Sequence, residues 1–505
     1  MGSQYNSKRI LKNTVLLYIR MIVVTLVSFF TVRITLRVLG VEDYGIYNVV
    51  GGLVAFLGII NATMSSASQR YLAFDLGKKD INSFQNTFSI LWLVYLALSL
   101  IVIVLGEALG PWIISHYLNI PSERVFGAQW VYQFSLLSFC ITLMSTPYQA
   151  SIIAYEKMGI FAFVGLFDAI CKLIFTILLN CVPFDKLIVY AFFILLISLA
   201  NLLIQLFYCK IKLFGCSYKY YWNKSYIKEI IGYTGWNLFG AVSGTLNTAG
   251  VSLVLNLFFG PIVNAAKSIA DRINSLVVSF SVNFYQAISP QVVKTYASGE
   301  SERSLSLVYK SSKLSFFLLF VLSLPLIYGM STVLNIWLGA DEVTSDMIVF
   351  SKLILIYSLI NVFEQPITML IRATGNIKRY QVSVGIITLS TVPVCIVLFL
   401  MGLPAYWSII SLIIMYVIAL FVRLHIARIQ TGLSIVYYTK TVLIPTISVV
   451  SVSVSITEVT IFVFDAELIL SMIVSFIIAI VASWFIGLKR KERILLINKI
   501  HFNNT

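Results

Sequence analysis

Apolar residues collect in long runs separated by short polar turns. The runs fall at about 14–39, 44–72, 86–112, 127–154, 159–181, 187–209, 230–259, 264–293, 314–338, 347–371, 381–401, 405–427, 441–463 and 468–488. A helix needs about 20 mostly apolar residues to cross the hydrocarbon core of a bilayer. The pattern therefore predicts about fourteen transmembrane helices in an all-α integral membrane protein. The first run has no small-residue cleavage site and no short apolar core, so it predicts a retained span rather than a removable signal peptide. The longest polar stretch, Lys210 to Glu229, interleaves lysines with Tyr218, Tyr220, Tyr221, Trp222 and Tyr226. That mixture suits the headgroup layer, and it divides six runs from the next six.

Composition agrees with the pattern. Of 505 residues, 59% are hydrophobic and 11% charged, against about 25% charged in soluble domains. The net charge of +15 would suggest nucleic acid as partner in a soluble protein, but its distribution excludes that. With the N-terminus inside, 26 of the 36 basic residues fall in the inside segments, and only Arg124 and Lys186 fall outside. This is the positive-inside bias of a cytoplasmic membrane protein with both termini in the cytoplasm. The acidic Asp341, Glu342 and Asp346, and the turn Asp465–Glu467, fall outside. Outside loops are all too short for a catalytic domain, so an enzyme is not expected. Six scattered cysteines without C-x-x-C spacing, and three distant histidines (His116, His425, His501), support neither a disulfide framework nor a metal site. No P-loop pattern is present to power transport with ATP.

The chain matches itself at an offset of about 220 residues. Leu39-Gly40 matches Phe259-Gly260, Gln69 and Gly77 match Gln291 and Gly299, Pro147 and Ala154 match Pro366 and Ala373, and Pro183 matches Pro404. A unit of six helices is even in number, so its two copies insert the same way up, as parallel repeats. The expected organisation is an N-lobe over 1–222, a C-lobe over 223–432, and helices 13 and 14 with the tail over 433–505.

Polar residues stripe several runs. The run 347–371 puts Tyr357, Asn361, Glu364, Thr368 and Arg372 on one face, with Pro366 expected to kink it. Its repeat partner carries Ser138, Thr142, Ser145 and Gln149. The run 264–293 lines up Lys267, Asp271, Asn274, Ser275 and Ser281, and 230–259 gathers Asn237, Gly244, Thr248 and Ser252. Small-residue stripes serve close helix packing, the reading preferred for 230–259. Asp168 and Lys172 read as a neutralising pair, and Glu107 stands alone. The first run carries Arg20, Arg33 and Arg37 without an acid of its own. Arg33 and Arg37 either snorkel to the nearby surface or face the interior. Basic groups within the runs (Arg20, Arg33, Arg37, Arg70, Lys172, Lys267, Arg272, Lys352) outnumber Glu107, Asp168, Asp271 and Glu364. A cavity lined this way would attract an anion, and the planar guanidinium fork suits phosphate.

Three stretches carry a resemblance. RITLRVLGVEDYGIYNVV from Arg33, SSASQRYLAFDLGKKD from Ser65 and QPITMLIRATGNIKRYQ from Gln365 resemble the Wzx-type polysaccharide and O-antigen exporters. These belong to the multidrug/oligosaccharidyl-lipid/polysaccharide (MOP) exporter superfamily. The resemblance implies a MATE-like fold of two six-helix lobes forming a V, plus helices 13 and 14. It also implies flipping of an undecaprenyl-diphosphate-linked oligosaccharide across the bacterial cytoplasmic membrane by alternating access, often coupled to a cation gradient. No signature of that family carries over residue by residue.

The expected activity is therefore a lipid-linked oligosaccharide flippase, acting as a monomer among membrane lipids without a cofactor. Its coupling cation is expected to be H+ or Na+. Arg20, Arg33, Arg37, Lys267, Arg272 and Arg372 are the expected anion-binding residues. Glu364, Asp271, Asn361 and Gln149 are the expected coupling and cavity residues, with Glu364 set against Arg372. The alternative is a cation-coupled drug exporter of the same superfamily, which would place acids rather than bases in the cavity.

Overall fold

The computed structural model describes residues 2–55, 57–116, 120–339, 343–464, 468–490 and 492–493. Asp341, Glu342, Asp465, Glu467 and His501 thus lie outside the described residues. Among the described residues seventeen α-helices follow one another: α1 Gly2–Ala55, α2 Gly58–Gly77, α3 Ile81–His116, α4 Val125–Ala154, α5 Met158–Leu178, α6 Lys186–Lys212, α7 Lys224–Ala297, α8 Ser301–Tyr328 and α9 Met330–Leu338. After these come α10 Ser345–Asn361, α11 Glu364–Thr374, α12 Lys378–Leu389, α13 Thr391–Leu400, α14 Trp407–Thr431, α15 Ile435–Tyr438, α16 Ile444–Phe464 and α17 Leu468–Ala482. No strand occurs among the described residues.

Among the described residues, 12 helical segments are long and apolar enough to cross a membrane, so the protein is a multi-pass membrane protein. The two expected spans missing from that set are 44–72 and 264–293. Both are helical, and they occupy equivalent places in the repeat. Asn61, Ser65, Ser66, Ser68, Gln69 and Arg70 dilute the first. Lys267, Asp271, Arg272, Asn274 and Asn283 dilute the second. A helix buried among other helices can carry polar groups that a lipid-facing one cannot, so average hydropathy understates this pair.

The repeat is written in the backbone. α1 is kinked at Gly40 (φ 83, ψ 167) and α7 at Gly260 (φ 80, ψ −176). That region of conformational space is open essentially to glycine alone. Further along, the sequence match set Gly77 against Gly299, but Gly77 ends helix α2 and the backbone instead sets Lys79 (φ 58) against Gly299 (φ 80), 220 residues apart, and Glu156 (φ 59) against Gly375 (φ 82). The left-handed turn survives where the glycine does not.

The chain forms two compact units, Arg9–Leu238 and, in the main, Phe239–Thr505. Within the first, the polar stretch after α6 is held against the helices. Tyr155 donates to the Phe214 carbonyl at 2.8 Å, Gln85 to Ser217 Oγ at 2.9 Å and the Lys219 amide to Ser89 Oγ at 3.0 Å. Within the second, α17 packs along α8, where Gly329 and Gly487 leave room for Met472 and Phe317. α7 passes close to the α12–α13 region at Gly240, against Gln381, and at Gly250, against Val392. Gly244, the glycine of the predicted stripe, faces open space.

Pro366 interrupts its span as expected: α10 ends at Asn361 and α11 begins at Glu364. Proline has no N–H for the carbonyl four residues back, which is that of Val362. Tyr285 of α7 donates its hydroxyl to that carbonyl instead, at 2.5 Å. Pro147, the repeat counterpart, lies inside an uninterrupted α4.

Candidate functional site

The second unit holds a buried ionic cluster at the α10–α11 break. Glu364, in the first turn of α11, pairs with Arg423 of α14 at 3.1 Å. The Arg423 side chain is 2% exposed and that of Glu364 is 22% exposed, so the carboxylate alone of the pair is accessible. Tyr380 donates to Glu364 Oε1 at 3.4 Å and shares a hydrogen bond with Thr368 at 2.9 Å. The Arg423 guanidinium lies 5.6 Å from the Tyr416 ring, which meets Tyr357 edge-on at 4.8 Å. Arg372, expected opposite Glu364, is half-buried farther along α11. Arg423, one of the basic residues that the topology counts as inside, is buried within α14, about 12 Å from the end of that helix at 1.5 Å per residue.

On α7, Lys267 is buried and bonded to Asp271 one turn on, at 2.7 Å. Asn274 accepts a short hydrogen bond from Ser358, which ties α7 to α10. Arg272 points to the exposed side of α7. Asn361 is half-buried, and its side-chain oxygen has no hydrogen-bond partner.

In the first unit, Arg20 lies against α5. Its guanidinium stacks 4.4 Å from the Phe161 ring and packs on Gly165, where a methyl group would collide with it. Its Nε is buried and makes no hydrogen bond among the described residues. Arg33 and Arg37 are exposed on α1, and Gln149 is half-buried on α4. Asp168 receives Lys172 at 2.8 Å and Asn201 at 3.0 Å. Glu107 is not alone, for Gln133 donates to it at 3.0 Å. Between the spans, Arg124 bridges Asp43 and Asp185, the latter at 2.8 Å. Burial raises the Asp43 carboxyl above its ordinary value, while Arg124 pulls it down.

The pairing leaves a charge imbalance. Asp168, Asp271 and Glu364 each have a cation beside them. A further acid within a candidate span, Glu458 of α16, takes a hydrogen bond from Tyr328 at 2.9 Å. The sequence reading passes it over, although Ser455 and Ser451 share its face at i−3 and i−7. Arg20, Arg33, Arg37, Arg272 and Lys352 have no carboxylate within ion-pair distance among the described residues. Of the cluster around Glu364, sequence spacing found Thr368 and Tyr357 on the same stripe. It missed Arg423, Tyr380 and Tyr416, which come from other helices.

No family model matches the sequence, and no curated protein matches it. Solved structures do resemble it in fold. An outward-facing multidrug resistance MATE family transporter of the MOP superfamily superimposes with a TM-score of 0.73 at 14% identity, over 85% of this chain and 96% of that one. A MATE in complex with MaD3S gives 0.72 at 15% identity, over 86% and 97%. A MOP superfamily transporter from Pyrococcus furiosus, described as having a binding pocket of reversed polarity that suggests a different function, gives 0.69 at 14%, over 83% and 96%. Together with the helical membrane architecture, these likenesses show that the chain has the fold of the MATE transporters of the MOP superfamily.

Proposed function

We propose that the protein flips an undecaprenyl-diphosphate-linked oligosaccharide across the bacterial cytoplasmic membrane by alternating access, in the synthesis of a cell-surface polysaccharide such as O-antigen. The observation that supports this reading is the charge left after pairing. Asp168, Asp271 and Glu364 are ion-paired, while among the described residues Arg33 and Arg37 have no carboxylate within ion-pair distance and Arg20 has only the longer-range charge of Asp168, itself paired with Lys172. A charged side chain at mid-membrane costs about 2.5–3.5 kcal/mol on insertion scales, and a diphosphate supplies the missing countercharge. Glu364, accessible beside a buried arginine, is the proposed carrier of a coupling H+ or Na+.

Binding of undecaprenyl diphosphate to the purified protein tests the anion site. Arg20→Ala and Arg33→Ala should each weaken it about tenfold, roughly 1.4 kcal/mol. Arg→Lys should rescue only part of that, since the bidentate fork is lost. Full activity of the lysine variants would sink the site.

A second reading, export of organic cations, is favoured by the structural likeness to a multidrug resistance MATE transporter. Deleting the gene separates the two. A flippase deletion accumulates lipid-linked oligosaccharide, detectable by mass spectrometry. An exporter deletion accumulates organic cations such as ethidium instead.

A further inference from the structure

The second unit contains a cavity of about 690 Å³ between α8, α10, α14 and α16, in the size range of small-ligand pockets, about 300–1,000 Å³. Phe316, Phe320, Leu420, Ile447 and Val450 are part of an apolar wall. Its charged lining residues are Lys352 and Glu458, and Tyr328 joins them.

These three polar groups share one end of the cavity. Tyr328 is the last residue of α8, and its hydroxyl donates to Glu458 at 2.9 Å. Lys352 lies seven residues into α10 and Glu458 six residues before the end of α16, depths of about 10 Å and 9 Å at 1.5 Å per residue. On the topology read from the basic residues, α8 ends, α10 begins and α16 ends at the outer face. The polar end therefore sits at the level of the outer-leaflet headgroups and ester linkages. From there the wall runs down α8 to Phe316 and down α16 to Ile447, about 18 Å and 16 Å. That is more than half of the ~30 Å hydrocarbon core. Ile356, Phe421 and Ile447 are exposed, so the cavity has an open side through which a chain can enter.

We propose that this cavity is a binding site for a zwitterionic aminophospholipid of the outer leaflet, with one acyl chain along the apolar wall. The phosphate lies against Lys352, which has no carboxylate within ion-pair distance among the described residues, and the primary ammonium donates to the Glu458 carboxylate held by Tyr328. The carboxylate discriminates against the alternatives. A polyprenyl diphosphate brings two or more negative charges to a mouth that already holds one. Phosphatidylglycerol offers no cation for Glu458, and the trimethylammonium of phosphatidylcholine has no N–H to give it. The proposal stands apart from the transported substrate, since it concerns a lipid bound within one unit.

The test uses the full chain in nanodiscs of phosphatidylethanolamine and phosphatidylglycerol in equal amounts, followed by native mass spectrometry. One phosphatidylethanolamine should remain on the wild-type chain. Phosphatidylglycerol, phosphatidylcholine and undecaprenyl phosphate, each added in equal excess, should fail to displace it. Lys352→Gln and Glu458→Gln should each lower its retention at least fivefold, and Ser451→Trp, which fills the cavity, should abolish it. The idea is overturned if no phosphatidylethanolamine is retained, if any of the three other lipids displaces it as readily as phosphatidylethanolamine does, or if the glutamine variants hold it like the wild type. The displacement experiment uses the wild-type chain alone, so it decides the question even where a variant misfolds.

Discussion

Glu364 meets its countercharge in Arg423, 3.1 Å away on α14, and not in Arg372, two turns along its own helix. Removing one partner of a buried pair strands the other and costs about 3–5 kcal/mol, whereas removing both is often near neutral. Glu364→Gln alone should therefore lower the thermal midpoint in detergent, and Glu364→Gln with Arg423→Gln should restore most of it. If Glu364 carries the coupling cation, the restored double variant still fails at gradient-driven flipping. Transport by that variant at the wild-type rate would reduce the pair to a structural one.

Tyr285 and Pro366 are coupled through the Val362 carbonyl. Tyr285→Phe leaves that carbonyl without a donor and should cost about 1–3 kcal/mol. In a Pro366→Ala background the helix can supply its own N–H, so the same substitution should cost less. A double-mutant cycle measures the difference. Strict additivity would show that the two residues act independently.

Lys79 holds a left-handed conformation for which its repeat counterpart uses Gly299. Lys79→Gly should stabilise the protein by roughly 0.5–1 kcal/mol, the strain relieved less the unfolded-chain entropy added. Gly299→Ala should do the reverse. A thermal midpoint lowered by Lys79→Gly would contradict the strain assignment.

Arg124 sets the pH response at its end of the first unit. Burial raises the Asp43 carboxyl above the ~3.9 of an unfolded aspartate. Its proton is thus held more tightly in the folded state. The resulting stabilisation is complete below ~3.9 and is lost as pH rises through the folded value. Arg124→Ala removes the group that pulls this value down, so the loss should be deeper at neutral pH. The variant should regain more stability than the wild type on acidification from pH 7. Parallel pH profiles for the two would refute the account.

The spans and the repeat are legible in the sequence because a bilayer judges each segment locally. A stretch crosses if its own residues are apolar, and its flanks orient it by their own charge. The Pro366 break and the pairs Lys172–Asp168 and Lys267–Asp271 are legible for the same reason, since their partners lie within one turn or so of helix. The Gly40 and Gly260 kinks, too, sit where the sequence repeats.

Only the tertiary structure decided the partners that lie on other helices. Arg423 reaches Glu364 from 59 residues away, Tyr285 reaches the carbonyl that Pro366 leaves free, and Arg20 rests on Phe161 and Gly165 of α5. Such contacts depend on the rotation of each helix about its axis and on which neighbour it meets, and periodicity within a single helix carries neither. That is why spacing placed Arg372 opposite Glu364, missed Arg423 as its partner, and passed over Glu458 and the apolar cavity beside it.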